Sequence, residues 1–220
     1  MKRINTPAIV LLAVMVTSTL LIAGGYKSTQ AATGERVTTV NAEPDSIGNG
    51  MSTATGNVET RDVVITRVFD AKVELVWKAW TDPEYVMRWW GPTGFTSPSC
   101  KIDFREGGKF IFHMRAPKDF QGGQDFYLSG FYKKIVPLKL IEFSQSLSDK
   151  EGNSIDPAKM GMPPDFPKEI PSALAFKRVG DKTELTVTEF GWEVGQMRDL
   201  SESGMNQCLD KLAEALAKSK

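Results

Sequence analysis

The chain has 220 residues, 41% of them hydrophobic and 25% charged, with Lys plus Arg equal to Asp plus Glu at 27 each. That length favours one domain with extensions. The balanced charge argues against nucleic acid or a polybasic membrane patch, since phosphate binding needs a basic surface. Two Cys and one His are too few for a structural zinc framework.

Lys2 and Arg3 precede an apolar run from Ala8 to Ala23, broken only by Thr17, Ser18 and Thr19, and the first acidic residue is Glu35. A basic start, an apolar middle and small residues thereafter predict residues 1–25 to be a secretory signal. An uncleaved anchor is the alternative, because Pro7 to Gly25 spans 19 residues and a membrane helix needs about 17–25. Either way the expected location is extracytoplasmic: secreted, periplasmic or membrane-anchored. Residues 26–57 contain no Leu, Phe or Trp. They read as a disordered linker, unable to bury enough apolar surface to offset ordering entropy.

The folded domain is expected over 58–220. Val58 to Phe69 alternates and is β-branched, which predicts a strand. Asp70 is placed to cap a helix carrying Val73, Val76, Trp77 and Trp80 at helical spacing. Thr81-Asp82-Pro83 ends it and starts a second short helix that stops at Gly91-Pro92. Strands follow around Cys100–Phe104 and Lys109–Arg115, joined by a turn at Gly107-Gly108. Further strands are predicted over 125–136, 139–149, 170–179 and 182–192, with a Pro- and Met-containing loop at 152–169. From Gln196 to Lys218 an apolar stripe of Leu200, Met205, Cys208, Leu209, Leu212 and Leu216 predicts an amphipathic helix long enough to cross a sheet.

This order implies an α+β fold: a curved antiparallel sheet of about seven strands gripping a long C-terminal helix, with two short helices after the first strand. The sheet and helix faces are both apolar, so a cavity between them would take an apolar ligand. The residues expected to line it are Trp89, Trp90, Phe110, Phe112, Met114, Phe126, Leu128, Phe143, Phe176, Leu185, Val187, Glu189, Met205 and Leu209. Trp89 and Trp90 can equally serve as core packing at a helix stop. Glu189 shares strand parity with Leu185 and Val187, so its carboxyl is expected at or near the cavity, with burial raising its pKa.

His113, the only His, has the parity of Lys109, Ile111 and Arg115 and is expected to face solvent. Asp103 and Arg105 read as a surface pair. Cys100 and Cys208 sit on apolar faces, as free thiols or, after export, as a disulfide. Met160, Met162, Pro163, Pro164 and Phe166 form either a lid over the cavity or a surface loop. No Ser–His–Asp set, metal cluster or glycine-rich phosphate loop is legible. Glu189 with Tyr127 or Tyr132 is the most an enzyme such as a cyclase or hydratase could use. The expectation is therefore a binding domain, not an enzyme, with no cofactor.

WTDPEYVMRWWGPTGF, IDFREGGKF, SGFYKKIVPLKLIEFS and SGMNQCLDKLAEAL resemble the domain named for the activator of heat-shock protein 90 ATPase, in its short prokaryotic form. That domain belongs to the START or SRPBCC superfamily. The resemblance covers about residues 60–218 and implies the helix-grip fold and a ligand-sized cavity. The name also suggests a protein-interaction or co-chaperone role, but the namesake's partner is a cytosolic, ATP-driven chaperone that an exported domain would not meet. The family often carries Gly-Trp at the start of the last helix, where this chain has Gly204-Met205, replacing an aromatic wall with a flexible thioether.

Overall fold

The computed structural model describes residues 58–219 apart from position 121. The expected signal or anchor and the linker lie outside the described residues. Among these, no helix is long and apolar enough to cross a membrane.

β1 (Thr60–Phe69) leads into α1 (Val73–Thr81) and the single turn of α2 (Pro83–Val86). Six strands follow: β2 (Cys100–Ile102), β3 (Lys109–Arg115), β4 (Asp125–Val136), β5 (Leu140–Ser148), β6 (Ile170–Val179) and β7 (Lys182–Glu193). α3 (Gln196–Ala217) closes the chain. The strands form one antiparallel sheet in the order β1-β7-β6-β5-β4-β3-β2. The long connection from β1 to β2 carries the two helices, which lets β1 pair with β7 and leaves β1 and β2 at the edges. This is the α+β helix-grip arrangement expected from the sequence.

α1 buries Val73, Val76, Ala79 and Trp80. It begins after Lys72, which makes no side-chain cap, so Asp70 stands two residues too early for the capping role assigned to it. The expected cap chemistry appears one helix later. Asp82 accepts from the Glu84 backbone N–H at 2.9 Å, and Pro83 occupies a position where a missing N–H costs nothing. α2 is shorter than its sequence pattern suggested, and residues 87–89 continue as a turn. This turn folds Trp89 into the core, where its Nε1 donates to the Ala79 carbonyl at 2.9 Å.

The two halves of α3 meet the sheet differently. Leu209, Leu212 and Leu216 are fully packed. On the opposite side of that region Trp77 places its ring 5.0 Å from Phe176, so α1 plugs this end of the concave surface. Toward the N-terminus of α3 the inward face carries the small residues Ser201, Gly204 and Cys208, spaced three and four apart, so they stand above one another on one face.

A bulge in β7 re-aims the chain beside that half. Val63 pairs with Glu189 and Arg61 with Trp192, so two β1 steps face three in β7. Gly191 sits at φ 72°, a region open to glycine. The extra residue returns Trp192 to the inner face, in phase with Glu189.

Lys211 fixes α3 to the turn after Trp90. Half buried, it donates to the carbonyls of Gly91 at 2.7 Å and Phe95 at 2.8 Å. Charge-assisted bonds of this kind are among the stronger ones. Lys211→Met should lower the unfolding free energy by about 1–3 kcal/mol, read as a shift of the urea midpoint at unchanged slope.

Candidate ligand-binding site

Two spaces open between the first half of α3 and the sheet. The outer one has a volume of about 140 Å³. Met114, Phe126, Leu128 and Leu147 form its floor, Leu200, Gly204 and Cys208 its roof, and Met162, Phe166 and Trp192 its side. The inner one has a volume of about 20 Å³ and lies against Trp80, Phe110, Phe112, Tyr132, Phe143 and Val187. Trp90, Gln145, Glu189 and Met205 border both and so form the partition between them. About 10–15 Å³ admits one water, so the inner space suits a single small polar group, while the outer one has the size of an engineered cavity that holds benzene.

The outer space exists because its roof is built from small side chains. The loop between β5 and β6 supplies the flank. Its 3-10 turn, Pro157–Met160, is capped by Asp156, which accepts from Ala158 N–H. The chain then turns at Gly161 and buries Met162. Phe166 meets Trp192 edge to face at 5.6 Å. Of the two readings of this loop, the structure places Met162 and Phe166 in the cavity wall.

Glu189 is the one ionisable carboxyl in either lining. It is 3% exposed. Its Oε2 accepts from Ser201 Oγ at 2.6 Å and from Trp192 Nε1 at 3.1 Å, and its Oε1 lies 3.4 Å from the Gln145 amide nitrogen. Burial pushes its pKa above the usual carboxylate range, and the Ser201 and Trp192 bonds oppose that only in part. Among the described residues no Lys, Arg or His borders either space.

Of the residues expected at the cavity, Trp90, Glu189 and Met205 sit on the partition. Phe110, Phe112, Phe143 and Val187 face the inner space, and Met114, Phe126 and Leu128 the outer one. Trp89, Phe176, Leu185 and Leu209 border neither. They are core residues: Trp89 meets Trp80 edge to face at 4.6 Å, and Leu185 and Leu209 are closed in where α1 and the leucine half of α3 fill the sheet. Sequence reasoning missed Gln145, Ser201 and Trp192. Gln145 had a readable signal, since it shares inward parity with Ile141, Phe143 and Leu147 on β5. Trp192 had none, because the bulge changes its phase.

His113 departs from expectation. It lies on the outer face, as its parity required, yet is 4% exposed. Tyr127 stacks on it at 4.4 Å, Ser99 Oγ bonds Nδ1 at 2.9 Å, and Ser97 donates to its backbone carbonyl. Nε2 lies 2.9 Å from Asp125 Oδ1, outside hydrogen-bond alignment. Asp125 is also bound by Arg115, whose guanidinium is the main cause of its pKa falling to about 2, with His113 a lesser one. A Ser–His–Asp set illegible in the sequence is thus assembled in space, on the face opposite the cavities, where it ties residues 97–99 to β3. Asp103 and Arg105 form the expected exposed pair at 2.9 Å. Cys100 and Cys208 are free thiols, each raised to about 12 by burial.

No curated protein matches the chain. Solved bacterial structures do. A protein of Nitrosomonas europaea is 21% identical with a TM-score of 0.55, covering 72% of this chain and 95% of that one. The AHSA1 protein of Silicibacter pomeroyi is 22% identical at 0.56, covering 73% and 100%. An AHSA1-like protein of Aeromonas hydrophila is 18% identical at 0.54, covering 72% and 94%. At these identities the likeness is one of fold. Residues 70–217 match the family model described as Activator of Hsp90 ATPase homolog 1-like protein, and on that match the chain belongs to this family.

Proposed function

We propose that this domain binds a small apolar molecule in the space beneath the first half of α3. The observation that carries the reading is a 140 Å³ cavity walled almost wholly by apolar side chains, with its few polar groups gathered on one partition. Apolar walls with a few placed polar groups are the usual make-up of a small-molecule site. We read the domain as a binder and not an enzyme because Glu189 has no second titratable side chain within hydrogen-bond reach, which acid–base chemistry on a bound substrate would call for.

The basic start and apolar run of residues 1–25 support an exported or tethered domain. N-terminal sequencing of the protein from its host should find either a new terminus after Gly25 or near Ala32, or an intact start in the membrane fraction. An intact start in the soluble fraction would count against both.

A second reading, a protein-docking domain, draws on exposed apolar residues of the outer sheet face: Val64 and Val68 on β1, Phe131 on β4 and Phe190 on β7. One titration separates the two. Naphthalene added to the full chain should change tryptophan fluorescence saturably, since Trp90 and Trp192 border the cavity. Cys208→Phe, which fills the roof, should weaken binding by about tenfold or more, equal to some 1.4 kcal/mol, and Val64→Lys should leave it unchanged. In the docking reading naphthalene leaves the fluorescence untouched.

Glu189 gives a pH signature. A carboxyl whose pKa is raised by folding takes up a proton more readily in the native state. Its contribution to stability is therefore full below the unfolded value of 4.5 and is lost as pH rises through the folded value. Glu189→Gln removes this loss. Its stability relative to the parent should improve steadily as pH climbs from about 4.5 and then level off, as measured by urea midpoints across the acid-to-neutral range.

A further inference from the structure

The inner space has an unusual lining. Trp80 Nε1, Trp90 Nε1 and the Tyr132 hydroxyl are buried without a hydrogen-bond partner, and all three residues border that one space. A buried polar group left unpaired costs about 1–3 kcal/mol, so three around one small void call for something to fill it. Indole N–H groups only donate. The void is therefore short of an acceptor.

Glu189 borders the same void, and protein donors already engage both of its carboxyl oxygens. Trp192 Nε1–H can only donate, and it shares Oε2 with Ser201. Oε2 thus accepts from both, and Oε1 lies on the Gln145 side of the partition, 3.4 Å from the amide nitrogen that donates to it. Among the described residues no cationic side chain lines either space to pair with an anionic ligand.

Resting on the binding reading above, we infer that the ligand is a neutral apolar molecule bearing one carbonyl-type oxygen. Its apolar body occupies the outer space, and its oxygen passes between Met205 and the Glu189–Gln145 pair to accept from Trp80, Trp90 and Tyr132. The volume of about 20 Å³ fits one such oxygen and excludes a bulkier polar head. Met205 suits the passage, since its unbranched thioether shifts rotamer easily.

Three probes of nearly equal shape test this on the full chain by calorimetry: ethylbenzene, acetophenone and 1-phenylethylamine. Acetophenone should bind tightest, by about tenfold over ethylbenzene, and its carbonyl stretch should move to lower frequency on binding. Tyr132→Phe, at a residue that borders only the inner space, should reduce that preference and that frequency shift while leaving ethylbenzene affinity within about twofold. Equal binding of ethylbenzene and acetophenone, or tightest binding of the amine, overturns the inference and leaves the apolar cavity standing. If no probe binds, the binding reading falls with it.

Discussion

The helix α3 must cover a concave apolar sheet with one face, and that face changes size along its length. In its second half Leu209, Leu212 and Leu216 fill the gap as a close-packed core does. In its first half Ser201, Gly204 and Cys208 are too small to fill the gap, although Ser201 still bonds Glu189 on β7, and Lys211 ties the helix to the turn at Gly91 and Phe95. A rod held at fixed height over a curved surface, large-sided at one end and small-sided at the other, leaves a void at the small end. The position of the site follows from that inequality.

The void is not uniformly greasy. Several elements bring polar atoms to its inner end, among them β7 with Glu189, β5 with Gln145, β4 with Tyr132, and the α1–α2 region with Trp80 and Trp90. Each polar atom alone is a liability in a low-dielectric interior. Glu189 is held by two donors and displaced in pKa, while the indoles and Tyr132 are not satisfied at all. A core selected for stability alone would place leucine and phenylalanine there. The concentration of unsatisfied donors beside a void distinguishes this region from the leucine end of the same helix, where Leu209, Leu212 and Leu216 are buried in the apolar core.

The opposite face carries another buried polar side chain, His113. Its enclosure by Ser99, Tyr127 and Asp125 shows how an edge of the sheet is finished. β2 is only three residues long, and the segment before it is held down by side chains and by the Thr96–Arg115 bridge. Covering an edge in this way limits unwanted strand pairing.

Local periodicity was enough to read most of the elements, because period 2 and period 3.6 are properties of a few neighbouring residues. β4 and β6 fall on the ranges read from the alternation, 125–136 and 170–179. The inward parity of Glu189 was also legible, as was that of Gln145 had it been followed. What local pattern cannot carry is which inward residues meet empty space. Phe176 and Leu185 share their parity with cavity residues, yet Trp77, distant in sequence, closes over that end. Trp192 turns inward because of a bulge set by pairing with β1. His113 faces outward as parity demands, and still is buried, because a segment fourteen residues away folds over it. The sequence by itself determined the elements, their order and the side each residue faces. The tertiary structure decided where packing fails, since a void is defined by the groups that do not meet across it.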